Sequence, residues 1–149
     1  EAQRRLSASF EKRQVQKRYV AVVAGTLANP QPDNGWNTID LPLMVDWLNR
    51  PRSIVHHALG KPSLTRWRLD GDRPHDGGST RLDLEPITGR SHQLRVHLKA
   101  IGHPIAGDPL YADPAQQALA SRLLLHACVL ELPHPATGKR LRFTSPAPF

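Results

Sequence analysis

A chain of 149 residues can bury one respectable core, so a single domain is the expectation. Its 20 Lys/Arg against 13 Asp/Glu leave a net charge of +7, a balance that favours nucleic acid or an anionic membrane over acidic protein partners. One cysteine, Cys128, excludes a disulfide framework, and no apolar run approaches the ~18 residues of a membrane span.

The opening EAQRRLSASFEKR is not the basic-then-apolar pattern of a signal peptide, so a cytoplasmic protein is expected. Ala2, Leu6 and Phe10 recur every fourth residue and predict an amphipathic helix over 1–14. Its other faces are basic: the first 20 residues hold six Lys/Arg and two Glu. Tyr19–Val23 is β-branched and aromatic, ends at Gly25 and predicts a strand, with Tyr19 as an ordinary core tyrosine on composition alone.

Residues 26–40 read as a Pro/Asn/Gly-rich loop with a turn at Asn34-Gly35. DLPLMVDWLNRPR then sets Arg50 and Arg52 around a proline that disfavours helix, a surface loop with two cations available for phosphate. His56 and His57 are sequence neighbours; on a strand they point to opposite faces and make a poor chelate. A hairpin is predicted over 64–87, its second strand alternating Leu82 and Leu84 with charged residues. Beyond the central stretch, Asp113-Pro114 forms an N-cap and N1 pair for a short helix, and LLLHACVLEL and KRLRFTS read as strands joined by HPATG. No H-E-x-x-H or G-x-S-x-G occurs, and no metal site is expected.

The stretch from Leu84 to Ala112 organises the rest. A strand enters a Thr-Gly turn and leaves as a helix, with Leu94, Leu98 and Ile101 on one face and His92, Arg95 and Lys99 roughly opposite. Gly102 sits where a left-handed C-cap needs no Cβ. From Thr88 to His103 there are three Lys/Arg, three His and no carboxylate. An amphipathic helix of this kind often just shows its basic face to solvent. The patch also suits a polyanion, and Arg95 could equally serve a carboxylate brought in from elsewhere in the fold.

GRSHQLRVHLKAIGHPIAGDPLY resembles the third sequence block of the RluA-type pseudouridine synthases, with its G-R-x-H-Q-L-R core and following G-H-P-I-x-G-D-x-x-Y. The resemblance extends to KRYVAVVAG, DLPLMVDWLNRP, GKPSLT and RLLLHACVLELPHPATGKRLRFTSPAPF, which is nearly the whole chain. The DW-x-NRP and HP-x-x-G stretches are most similar to the branch that modifies both ribosomal RNA and transfer RNA. The resemblance implies an α/β (α+β) fold with a mixed, mostly antiparallel sheet, flanking helices and a central RNA-binding cleft. It also implies isomerisation of uridine to pseudouridine with no cofactor and no metal. Tyr19 falls on the family's active-site tyrosine and Arg95 on the partner of its catalytic aspartate. Arg50, Arg52, Arg90, His92 and Gln93 become candidate RNA contacts.

The family's preceding block, H-R-L-D-x-x-T-S-G, carries that aspartate and has no match here. Asp70 and Asp83 each complete an R-L-D but lack the T-S-G. Residues 1–149 are therefore expected to be the C-terminal portion of a single catalytic domain, with SPAPF as its carboxyl end. Alone, the chain is expected to be inactive. The expected partner is structured ribosomal or transfer RNA, met by a monomer. A non-catalytic RNA-binding protein and a basic scaffold for anionic protein are the alternatives.

Overall fold

The computed structural model describes residues 2–11, 14–28, 35–71 and 78–149. The first helix, α1, spans Ala2–Glu11 and lies against the last hairpin, where Arg5 Nη1 donates to the carbonyls of Pro135 and Ala136 at 2.8 and 3.0 Å. The side chain of Phe10, the third residue of its predicted apolar stripe, lies outside the described residues, as does the Asn34 half of the predicted turn.

The strands are β1 (Gln16–Ala24), β2 (Asn37–Asp40), β3 (Leu43–Val45), β4 (Ser53–Val55), β5 (Leu64–Leu69), β6 (Ser79–Pro86), β7 (Leu125–Pro133) and β8 (Arg140–Thr144). Six form one sheet in the order β2-β5-β6-β1-β7-β8, and β3 and β4 form a separate ribbon. Every strand pairing among the described residues is antiparallel. The unbroken apolar run Val20–Ala24 is buried throughout because β1 sits mid-sheet and is covered on both faces. Both predicted hairpins, β5–β6 and β7–β8, are present.

Two short strands were expected as loop, β2 within 26–40 and β3 before the arginine-proline segment, and β4 after that segment was not predicted. Each has only three or four residues, too few for a period-2 pattern, and each is held by its partner's register instead. His56 and His57 follow β4 in a turn rather than lying on a strand, and His56 Nδ1 caps the Leu59 N–H at 3.0 Å.

Helix α2 (Gln93–Ala100) packs Leu94 and Leu98 onto the sheet, against a core that includes Ala21, Trp67, Leu82 and Leu84. Its other side is only partly solvated, with Lys99 and Ala100 exposed. Val96 joins Leu43 of the ribbon and Tyr111 in a second apolar cluster, so α2 is clamped between sheet and ribbon. It ends in a Schellman motif: Gly102 N–H bonds the Lys99 carbonyl, His103 N–H bonds the Leu98 carbonyl, and Gly102 takes φ +90°. Helix α3 (Pro114–Gln117) opens on a capping box between Asp113 and Gln116.

Two of the three histidines counted in the basic patch are held by backbone carbonyls. His103 Nδ1 meets the Ala24 carbonyl at 2.8 Å. His97 is fully buried between Thr65 Oγ1 and the Leu41 carbonyl, both at 2.8 Å. Burial pushes the His97 pKa below its ordinary value, against weaker opposition from the Leu41 hydrogen bond and Asp40. The unfolded chain therefore takes up this proton first, near pH 6.5, and the folded state resists it. Stability is complete above that pH and drains as pH falls, by at most about 1.4 kcal/mol per pH unit per histidine. Denaturant melts of the complete polypeptide at about pH 7.5 and pH 6, where carboxylates stay ionised, should show this loss. His97→Gln should shrink it, and equal stability at both pH values would contradict the assignment.

Candidate active site

A cleft of about 260 Å³ opens where β1, the β6–α2 loop and α2 converge. Tyr19 enters from β1, where register pairs it with Leu84 on one side and Ala127 on the other. Arg90 enters from the loop, and His92 and Arg95 from the start of α2. Residues far apart in sequence meet here because the hairpin returns β6 alongside β1 and releases the chain into α2 above Tyr19's strand. The Tyr19 hydroxyl makes no hydrogen bond among the described residues, so its ring and its oxygen are both available to a ligand.

Arg95 is not on a solvated face. Its side chain is 14% exposed, and its Nε and Nη2 donate to Asp108 Oδ2 and Oδ1 at 2.9 and 2.7 Å. Asp108 is fully buried and also accepts from the N–H groups of Leu110 and Tyr111. Burial alone would raise the Asp108 carboxyl, but the Arg95 fork and those backbone donors outweigh it and hold the pKa below the usual carboxylate range. The hydrogen bonds that Arg95 donates to Asp108 in turn raise the Arg95 pKa. Gly107 fixes the approach: it takes φ +77°, and a Cβ there would collide with the Arg122 carbonyl. Arg95 Nη1 makes no hydrogen bond among the described residues, leaving one edge of the guanidinium open to a second carboxylate.

His92 is the one non-glycine residue with positive φ among those described, at +54°. Left-handed backbone costs such a residue about 1–2 kcal/mol, so local bonds must hold it. Its Nδ1 lies 2.7 Å from the Tyr111 hydroxyl, which accepts the Ser53 N–H at 2.9 Å. The Tyr111 hydroxyl can give its own proton to His92 Nδ1 or accept one from it, according to the imidazole tautomer. Burial and then the Arg95 charge lower the His92 pKa, with Asp108 opposing, which fits a neutral ring. Burial likewise raises the Tyr111 pKa.

Among the predicted site residues, Tyr19, Arg90, His92, Gln93 and Arg95 all border this cleft. Gln93 does not fit its expected part as an RNA contact. It is 3% exposed, its Nε2 donates to the Leu64 carbonyl and Thr65 Oγ1, and its Oε1 accepts from Thr88 Oγ1 and Arg90 N. That carboxamide is spent on shaping the loop. Arg50 and Arg52 are exposed on the ribbon and do not line the cleft. Asp83 pairs with Arg68 at 3.1 Å and Asp70 with Arg81 at 3.0 Å; neither lines the cleft. Asp108 and Tyr111 were quoted within a motif but given no role, and the G-D-x-x-Y spacing was their one signal.

The site can therefore offer an aromatic ring with a free hydroxyl, a locked guanidinium with one open edge, and a second arginine, Arg90, anchored on the Pro62 carbonyl. Among the described lining residues it has no carboxylate. The family model for RNA pseudouridylate synthase matches residues 1–100, two-thirds of the chain. The chain belongs to the RNA pseudouridylate synthase family. It is 47% identical over 148 residues to the dual-specificity RNA pseudouridine synthase RluA of Escherichia coli K12, covering 99% of this chain and 64% of that relative. The Yersinia pestis protein of the same name is 48% identical, with 99% and 68% covered. Among solved structures, human RNA pseudouridylate synthase domain containing 1 superposes with a TM-score of 0.77 at 28% identity, covering 96% of this chain and 59% of that one. The human domain containing 4 protein, at 24% identity and a TM-score of 0.71, shares the fold. The α+β architecture and mostly antiparallel sheet expected for the family are what the chain has.

Proposed function

We propose that this chain supplies the Tyr19–Arg95 side of an active site that isomerises uridine in RNA to pseudouridine. The supporting observation is the cleft itself: a tyrosine with an unbonded hydroxyl and a locked arginine face one cavity in a member of this family. The N1–C1′ bond breaks, the uracil turns, C5 joins C1′, and the C5 proton leaves as N1 regains one. Such chemistry asks for a nucleophilic carboxylate, which this reading assigns to residues outside 1–149. Arg95, gripped by Asp108, presents its open edge to that carboxylate and keeps it ionised for attack. Tyr19 stacks on the flipped base, and its hydroxyl takes part in the proton transfer. Arg90 and His92 contact the RNA near the cleft, with Arg50 and Arg52 as phosphate contacts further out.

The substrates in this reading are stem-loops of ribosomal RNA or transfer RNA, met by a cytoplasmic monomer. Residues 1–149 then form the C-terminal portion of a single catalytic domain. The absence of a carboxylate among the described lining residues favours a second reading for the isolated chain: it binds RNA without turning it over. The test is tritium release from C5-labelled uridine in transcribed ribosomal and transfer RNA. The complete polypeptide should release tritium and residues 1–149 alone should not. Turnover by the 149-residue chain would mean that the nucleophile lies within it.

A further inference from the structure

A second hollow, of about 430 Å³, adjoins the cleft and shares Gly89 and Arg90 with it. Its floor is the ribbon, including Leu43 and Met44. Trp47 and Leu59 stand at its rim, 65% and 72% exposed. A tryptophan and a leucine left this open in water are a standing cost unless something covers them. The tip carrying Trp47 is built to hold its shape. A 3₁₀ turn at Trp47–Asn49 is closed by backbone bonds from Asn49 to Asp46 and from Arg52 to Asn49, and Asp46 N–H bonds the Arg52 carbonyl. The ribbon is tied to the cleft through Ser53 N–H, Tyr111 and His92.

Charge says what the cover is. Among the described residues no carboxylate lines the hollow, whereas Lys61 and Arg90 do, and the Arg50 guanidinium lies 5.3 Å from the centre of the Trp47 ring. Asp46, next to Trp47 in sequence, lines a different hollow and accepts from Asn49 Nδ2 at 2.9 Å. An aromatic face among cations suits a nucleobase on a phosphate backbone better than an apolar protein segment. Arg90 sits on the divide. Its Nε and Nη2 are held by the Pro62 carbonyl at 3.2 and 2.9 Å, and its Nη1 makes no hydrogen bond among the described residues.

The geometry points to a second base-binding subsite: an unpaired nucleobase flanking the target uridine stacks on Trp47 in this hollow, and the phosphate between the two nucleotides meets Arg90. This rests on the pseudouridylation reading of the neighbouring cleft. It adds a contact that is indifferent to the target base itself and selects RNAs able to splay two nearby nucleotides.

The test uses the complete polypeptide and a stem-loop RNA that it modifies, with the other loop nucleotides replaced singly by abasic residues. Trp47→Ala should weaken binding of the intact stem-loop about 5- to 150-fold. One abasic position beside the target should cost the wild type a similar factor and cost Trp47→Ala almost nothing. Trp47→Phe should keep most of the affinity, and Trp47→Leu should not. An equal Trp47→Ala loss on every abasic RNA, or full rescue by leucine, overturns the stacking subsite. So does a lower melting temperature with unchanged affinity, because the hollow is then filled by another part of the polypeptide. Normal tritium release with a neutral Trp47→Ala overturns the subsite and leaves the pseudouridylation reading standing. A wild type that binds no stem-loop RNA overturns both.

Discussion

In the complete polypeptide, Arg95→Lys and Arg95→Met should each bind stem-loop RNA with a near-normal salt dependence and lose the chemical step. The expected loss in single-turnover rate at saturating RNA is about 10²–10³-fold or more, the scale of removing a preorganised charge from a reacting centre. The rival is a plain phosphate contact. That would weaken binding to all RNAs and make the salt slope shallower by about 1, with a normal rate at saturation. Lysine keeps the charge but has no planar fork, so it cannot hold Asp108 with two nitrogens and turn a third outward. Methionine has a further consequence, since it strands a fully buried carboxylate. Breaking a buried pair from one side costs about 3–5 kcal/mol. Adding Asp108→Asn removes that charge while keeping an acceptor for the Leu110 and Tyr111 N–H groups. The double variant should therefore recover melting temperature and recover no rate. If it recovers rate as well, Arg95 serves only to neutralise Asp108.

That pairing also marks what a reading of the sequence can and cannot reach. Elements carried by local rules were legible: the two hairpins, the N-cap at Asp113 and the glycine stop at Gly102 each depend on a few neighbouring residues. Helix α2 was misjudged because a helical wheel assumes one buried face. Here the sheet takes Leu94 and Leu98 while the ribbon takes Val96. The polar residues between those faces are consequently internal. Gln93 and His97 complete a buried chain through Thr65 to the Leu41 carbonyl. Nothing in their spacing separates a satisfied buried amide from an exposed RNA contact.

The short strands β2, β3 and β4 were invisible for a related reason. Their conformation is imposed by β5 and by each other, not by their own alternation. Tyr19 and Arg95 reached the candidate list through a resemblance and could not have been paired by period or composition. The fold adds the cleft they share and the carboxylate behind Arg95. That carboxylate makes two demands compatible: Arg95 can be locked in place and still offer an open edge.

Tyr19 carries the other large effect. Its hydroxyl has no hydrogen-bond partner among the described residues, although its ring packs partly against the core. A purely structural tyrosine half-buried beside Leu84 and Ala127 gains nothing from an unbonded hydroxyl and would serve as well as phenylalanine. Tyr19→Phe keeps the stacking surface and removes only the oxygen. If the ring is all that matters, the rate should hardly change. If the hydroxyl handles the C5 proton, the rate should fall about 10²–10⁴-fold with RNA affinity little altered. The second outcome is expected. Tyr19→Leu should add a binding defect to the rate defect, because it removes the π-face as well. The decisive measurement is a single-turnover rate at saturating RNA, using uridine deuterated at C5. With proton removal slowed, Tyr19→Phe should show a deuterium isotope effect at least as large as the wild type's. A Tyr19→Phe variant that binds weakly yet turns over normally at saturation would assign Tyr19 to stacking alone and leave the proton to another group.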